Sequence, residues 1–254
     1  MELLYWFESI RNPVLDVLMS LVTRLGEETF FMVGALLVFW CVDKRKGYYL
    51  LSVGFVGILV NQWLKIICRV PRPWVRDPNF TIVESARAEA AGYSFPSGHT
   101  QTAVGFFGGV ARFTGRLWLR IACIVILLLV SVSRMYLGVH TPADVGVSFV
   151  TAAVLVLVMY PLMESTLWFP SRIYVILGVL LGCSLAFVGF MEFFPFPADI
   201  DAGNLAEAVK NAYSMTGAVG GMLVVSVFDD RLLQFPTRAP WWGQAVKLLG
   251  GLVL

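Results

Sequence analysis

The sequence predicts an all-α fold: a polytopic membrane helical bundle of about seven transmembrane helices, preceded by an N-terminal interfacial helix. Two observations carry this. Of 254 residues, 58% are hydrophobic and only 14% are charged, with a mean hydropathy of +0.76; a soluble domain carries roughly 25% charged residues. The apolar residues also fall in runs approaching the roughly 20 residues that cross a bilayer, with the charges collected between them.

Residues 1–26 mix Glu2, Glu8, Arg11, Asp16 and Arg24 with Leu, Val, Trp and Phe. That pattern suits an amphipathic helix lying in the interface, with a short first span as the alternative. The expected spans are 29–42, 47–64, 100–115, 117–138, 145–163, 173–191 and 211–228. The pair 145–163 and 173–191 is free of charge throughout, whereas 29–42, 100–115 and 117–138 have shorter uncharged cores. Met1-Glu2 lacks the basic start of a cleavable signal peptide, so none is expected. After Pro240-Trp241-Trp242 the chain turns apolar again, as the start of an eighth span or an interfacial tail. Cys41, Cys68, Cys123 and Cys183 have neither CxxC nor metal-ligand spacing and read as small buried residues. A net charge of +2 gives no argument for a nucleic-acid partner.

Lys and Arg mark cytoplasmic loops. Lys44, Arg45 and Lys46 fall on one side, with Arg112, Arg116, Arg120, Arg172, Arg231, Arg238 and Lys247. The other side receives loop 65–99, the turn at 139–141 and an acidic loop with Glu192, Asp199, Asp201 and Glu207, and is expected to face outward.

Three segments place charge at span ends, where it is costly and commonly functional. Lys65 lies in the last turn of the second span, and Pro71 and Pro73 stop the helix around Arg72. Phe95-Pro96-Ser97-Gly98-His99-Thr100 opens the third span. There Ser97 is a candidate N-cap, Gly98 permits close backbone approach, and the helix start suits a phosphate. In Ser133-Arg134 through His140 to Asp144, Arg134 is too deep for a free surface arginine, and Pro142 fits a first helical turn. Asp144, four residues after His140, could fix that imidazole's tautomer and leave the other ring nitrogen nucleophilic. Taken singly, these are a snorkelling basic cluster, a helix cap and a helix-terminal ion pair. On the expected topology they share one face, and they hold both histidines of the chain. Three cations, two imidazoles, a carboxylate and a helix N-terminus make a site for a transferring tetrahedral dianion. One carboxylate among three cations is a poor divalent-ion site, so no metal and no cofactor is expected.

These residues resemble the type 2 phosphatidic acid phosphatase superfamily, which also includes vanadium haloperoxidases, in its membrane lipid phosphate phosphatase branch. The family signature K-x6-RP, PSGH and SR-x5-H-x3-D is matched at eleven positions. These are Lys65, Arg72 and Pro73; Pro96, Ser97, Gly98 and His99; and Ser133, Arg134, His140 and Asp144. The resemblance implies a catalytic membrane core over 27–163 and does not extend to 1–26, the interfacial helix, or to 164–254, further helices and tail of the same membrane domain. It also implies that His140 is the nucleophile, Asp144 its orienting partner and His99 the acid for the leaving oxygen, without metal. Lys65, Arg72, Ser97, Gly98 and Arg134 would bind phosphate.

The expected activity is hydrolysis of a lipid phosphate or diphosphate through phosphohistidine. Candidates are a polyprenyl diphosphate, phosphatidate, phosphatidylglycerol phosphate or a sphingoid phosphate. The protein would be multi-pass in the plasma membrane with its site on the extracytoplasmic side. Its partners are the lipid substrate and the bilayer. Alternatives are a lipid phosphotransferase or a non-catalytic transporter or scramblase. Loop 74–95 is either a lid that selects the headgroup or a solvated connector, and the acidic loop 192–210 could roof the site.

Overall fold

A computed structural model describes residues 1–164, 169–198 and 200–253, and of these the side chains of 169–171, 252 and 253 are left aside. Asp199 of the acidic loop therefore lies outside the described residues. Among those described the chain is helical, with no strand.

Helices α1 (Glu2–Ser9) and α2 (Pro13–Thr23) precede α3 (Glu28–Leu37), which runs into a π turn at Val38–Val42. Asn12 caps α2 by accepting from Leu15 N–H, and Pro13 takes the first helical position. Pro13–Gly26 and Glu28–Val42 meet at 51°, and together they are long and apolar enough for one broken span. The first part of the chain thus joins an interfacial pattern to a span, and the sequence had left both readings open.

Helix α4 (Lys44–Cys68) is the centre of the bundle. Asp43 caps it, accepting from Arg45 and Lys46 N–H. Of the most apolar window in α4, 61% is buried, against 28–33% in the other four candidate spans, so α4 packs on all sides while the others turn an apolar face outward. It ends at Arg69 in the left-handed region (φ 47°), whose N–H returns to Lys65 C=O, so the helix stops before Pro71. Loop 70–97 contains the short α5 (Pro73–Arg76). It is no solvated connector: Phe80, Ile82, Ala86, Ala90 and Tyr93 are buried, and α1 lies against it through Leu4 and Phe7. Tyr5 OH donates to Asp77 at 2.7 Å, and Arg11 donates to Thr81 C=O at 2.8 Å.

Next come α6 (Gly98–Ala103), a π turn (Val104–Gly108), α7 (Gly109–Phe113), α8 (Leu117–Tyr136), α9 (Pro142–Glu164), α10 (Phe169–Phe193), α11 (Ala202–Phe228) and α12 (Trp241–Val253). Helices α10 and α11 form an antiparallel pair against α4.

Among the described residues, five helical stretches are long and apolar enough to cross a membrane, and six with the bent pair. The expected seventh, 100–115, differs. Gly98–Phe113 is about 24 Å long at 1.5 Å per residue, and it sits inside the bundle between α4, α8 and α9 with most of its residues buried. The C-terminal α12 lies beside α3: Gln244 donates to Thr237 C=O, and Gly251 packs on Trp40. Burial of all four cysteines holds only for Cys123; Cys41 is half-buried, and Cys68 and Cys183 are exposed on the protein surface.

Candidate active site

Alternating helix directions bring the end of α4 and the starts of α3, α6, α9 and α11 to one end of the bundle. The basic turns lie at the other. There Lys44 pairs with Asp229 at 2.6 Å, and Arg112 stacks over Tyr160. A cavity of about 310 Å³ opens between these helices. Lys65, Arg72, Gly98, His99, Arg134 and His140 line it. Ser97 and Asp144 do not reach the wall.

The three segments are tied together by backbone. Ser94 N–H donates to Val70 C=O at 2.8 Å, and Ser97 N–H donates to Asp144 C=O at 3.1 Å. Arg72, 6% exposed, donates from Nε to Gly92 C=O at 3.0 Å, from Nη2 to Ala91 C=O at 2.8 Å and from Nη1 to Val139 C=O at 3.0 Å. Its Nη1 is also 3.0 Å from His140 Nε2. A guanidinium only donates, so His140 Nε2 is the acceptor and carries the lone pair. The ring proton of the neutral imidazole then sits on Nδ1, facing Asp144.

Asp144 is buried, and its Oδ2 is 3.6 Å from His140 Nδ1, longer than a hydrogen bond. It accepts closer contacts from Ser94 Oγ at 2.6 Å and Thr141 N–H at 2.7 Å. The expected direct bond to the imidazole is thus loose here, and the carboxylate is held from behind. Burial, with Arg72, Arg134 and Lys65 nearby, pushes the His140 pKa well below its ordinary value. The turn before His140 needs Gly138 at φ +82°.

Arg134 is fully buried. Its Nη1 donates to Thr23 Oγ1 at 2.7 Å, while Nε and Nη2 have no partner among the described residues. Lys65 Nζ donates to Tyr93 C=O at 2.6 Å. Ser97 caps α6 by accepting from Thr100 N–H at 3.4 Å, so its hydroxyl serves the helix end. Gly98 leaves open space where a Cβ would stand. His99 Nε2 has no hydrogen-bond partner among the described residues; Glu89 Oε2 is 4.0 Å away. Burial and the surrounding cations push the His99 pKa well down too.

Several residues here escaped the sequence. Ser94 adjoins a motif, which was the only signal for it. Thr23 has no signal in the sequence. The remaining wall includes Glu27, Glu28, Glu89, Asn61, Glu207 and Asn211. The last two lie on α11, because helix begins at Ala202 and replaces the second half of the expected acidic loop.

Residues 45–168 match the family model described as PAP2 superfamily. A probable sphingosine-1-phosphate phosphatase of Dictyostelium discoideum is 32% identical over 57% of this chain and 38% of its own length. An undecaprenyl-diphosphatase of Bacillus subtilis is 27% identical over 58% of this chain and 74% of its own. In three dimensions the chain is similar to the crystal structure of a transmembrane PAP2 type phosphatidylglycerolphosphate phosphatase from Bacillus subtilis. The TM-score is 0.50, with 27% identity over 64% of this chain and 83% of that one. The match to the amoebal relative spans well under half of that protein.

Proposed function

The chain belongs to the PAP2 superfamily, and from that premise we propose that it is a membrane hydrolase of lipid phosphates or diphosphates working through a phosphohistidine on His140. The observation that carries this reading is the single contact between Arg72 Nη1 and His140 Nε2 at 3.0 Å. It leaves an unprotonated nitrogen at the wall of a cavity shared with Lys65, His99 and Arg134.

In this reading Arg134 Nε and Nη2 and the Lys65 ammonium bind the phosphoryl oxygens of the substrate. Gly98 supplies backbone N–H at the start of α6, with Ser97 setting that helix end. Arg72, already spent on three carbonyls, fixes the loops and contributes charge. Arg72 Nη1 gives up its contact with His140 Nε2, whose freed lone pair attacks phosphorus in line as the bond to the ester oxygen breaks, and His99 protonates that leaving oxygen. Water then displaces His140, with His99 taking its proton. Asp144 keeps the Nδ1 proton of His140 in place and balances the ring's charge. The fixed cations supply the stabilisation that a divalent ion would otherwise give, so the reaction needs none.

The same reading keeps 27–163 as the catalytic core, with 1–26 and 164–254 as accessory parts of one membrane unit. It puts the site at the extracytoplasmic face of the plasma membrane; the basic residues at the opposite end of the bundle support that orientation. The lipid tail would lie among the spans while the headgroup enters the cavity.

The deciding experiment is an alkaline detergent quench of the purified protein turning over a 32P-labelled lipid phosphate, followed by peptide mapping at alkaline pH. Label that is acid-labile, base-stable and located on His140 is expected. Label on another residue, or phosphate passed only to an added alcohol, would overturn the assignment. A panel of sphingoid phosphate, phosphatidylglycerol phosphate, phosphatidate and polyprenyl diphosphate then fixes the lipid.

A further inference from the structure

The proposed reaction asks His99 to give up a proton, yet its surroundings oppose carrying one. The ring is buried, with a side chain 16% exposed. Three fixed cations, Lys65, Arg72 and Arg134, act on it together with His140. Glu89 Oε2 faces Nε2 at 4.0 Å, and Nε2 is a buried nitrogen without a hydrogen-bond partner among the described residues. Glu27 lines the same cavity and sits within electrostatic reach of Arg134, as Glu89 does. Glu89 is more open to solvent, its side chain 37% exposed. It therefore touches water on one side and the buried imidazole on the other. It lies on the packed loop after α5, whose neighbours Ala91, Gly92 and Tyr93 are pinned by Arg72 and Lys65.

We propose that Glu89 acts through His99 as its proton relay, loading Nε2 from solvent and holding the imidazolium against the cations until the leaving oxygen takes the proton. This rests on the phosphohistidine reading of the site. In the balanced step, the carboxyl O–H of Glu89 breaks and its proton moves to His99 Nε2. That N–H then breaks as the ester P–O bond breaks, with the P–O electron pair staying on the leaving oxygen and the proton completing the alcohol. The carboxylate recovers a proton from water. In the second half-reaction His99 takes a proton from the attacking water, a step common to every substrate in which Glu89 has no part. Glu89 never contacts phosphorus, so it is a positioning residue.

The test compares two leaving groups. A lipid phosphate leaves as an alkoxide that must be protonated, whereas p-nitrophenyl phosphate leaves as a stabilised phenolate that need not be. General-acid assistance is typically worth about 10²–10⁴-fold. Glu89→Gln is expected to lower kcat on the lipid phosphate by roughly 10- to 100-fold and on p-nitrophenyl phosphate by less than about 3-fold. The alkaline limb of the pH–rate profile, set by the proton that His99 must carry, is expected to move to lower pH, and Glu89→Asp should restore most of the loss. An equal loss on both substrates, or a change in KM alone, would mean that Glu89 only braces Arg134 or the loop, and overturns the relay. Wild-type protein that turns over neither substrate, with no label on His140, would defeat the phosphatase reading itself and the relay with it.

Discussion

Arg134 Nη1 donates to Thr23 Oγ1 at 2.7 Å across 111 residues of sequence. Thr23 closes α2 and is almost wholly buried. It takes one edge of the guanidinium and leaves Nε and Nη2 without a partner among the described residues, the two groups to which the proposed mechanism gives the phosphate. Thr23→Val keeps the shape and removes the acceptor. A hydrogen bond to a charged group is worth about 1.5–3 kcal/mol, so kcat/KM for phosphate release should fall roughly 10- to 100-fold. Thr23→Ser should recover most of it, which a packing defect would not allow.

Asp144 depends on Ser94. Ser94→Ala removes the 2.6 Å donor and leaves Thr141 N–H as the other close contact. A loss of about 5-fold in kcat with little change in KM is expected, measured under saturating substrate. His140→Ala should lose activity entirely while keeping the same elution profile and helical circular dichroism.

Protons link stability to both histidines. Each has its folded pKa pushed below the unfolded value, so the unfolded chain binds more protons once the pH falls below about 6.5. The stability contribution of the neutral rings is complete above that value and is lost as the pH falls from it toward the folded pKa. Thermal unfolding in detergent should show Tm dropping between pH 7 and pH 5. Replacing both histidines by Gln should flatten that slope, and added phosphate should oppose the drop in the unsubstituted protein.

At the other end, Asp229 binds Lys44, whose ammonium also lies 3.7 Å from the centre of the Phe235 ring. Asp229→Ala strands a half-buried cation and should cost about 2–4 kcal/mol. Tm should fall while kcat at low temperature stays near the original.

Gly26 is the point where the bent helix pair meets α6. A Cβ there would lie 2.7 Å from Val130 Cγ1 and 2.9 Å from His99 C=O. Thr102 Oγ1 also donates to Gly26 C=O. Gly26→Ala must push α6 away, and should lower both Tm and kcat. An unchanged kcat would show that the shift never reaches His99.

What could be read from the sequence follows the range of the forces involved. Lys65, Arg72, His99, Arg134, His140 and Asp144 announce themselves because charge beside apolar runs is conspicuous and their spacing is local. The charge-free stretch 145–163 fixes α9 for the same reason. Thr23 gave no such sign, since an ordinary threonine gains its role only from a neighbour more than a hundred residues away. The number of spans is less legible than their existence, because hydropathy does not distinguish burial in protein from burial in lipid. Ser97 stands as the cap of α6 that the sequence offered.

The bonds from Arg72 to the carbonyls of Ala91, Gly92 and Val139, with those from Ser94 to Val70 and Ser97 to Asp144, stitch the three loops into one plate above the helices. A bilayer that thickens or thins acts on spans through their tilt. Tilt taken up below such a plate need not alter the spacing of the groups set in it. Turnover in vesicles of differing acyl length should therefore vary mainly through delivery of the lipid, and a short-chain soluble ester should report nearly the same kcat in all of them.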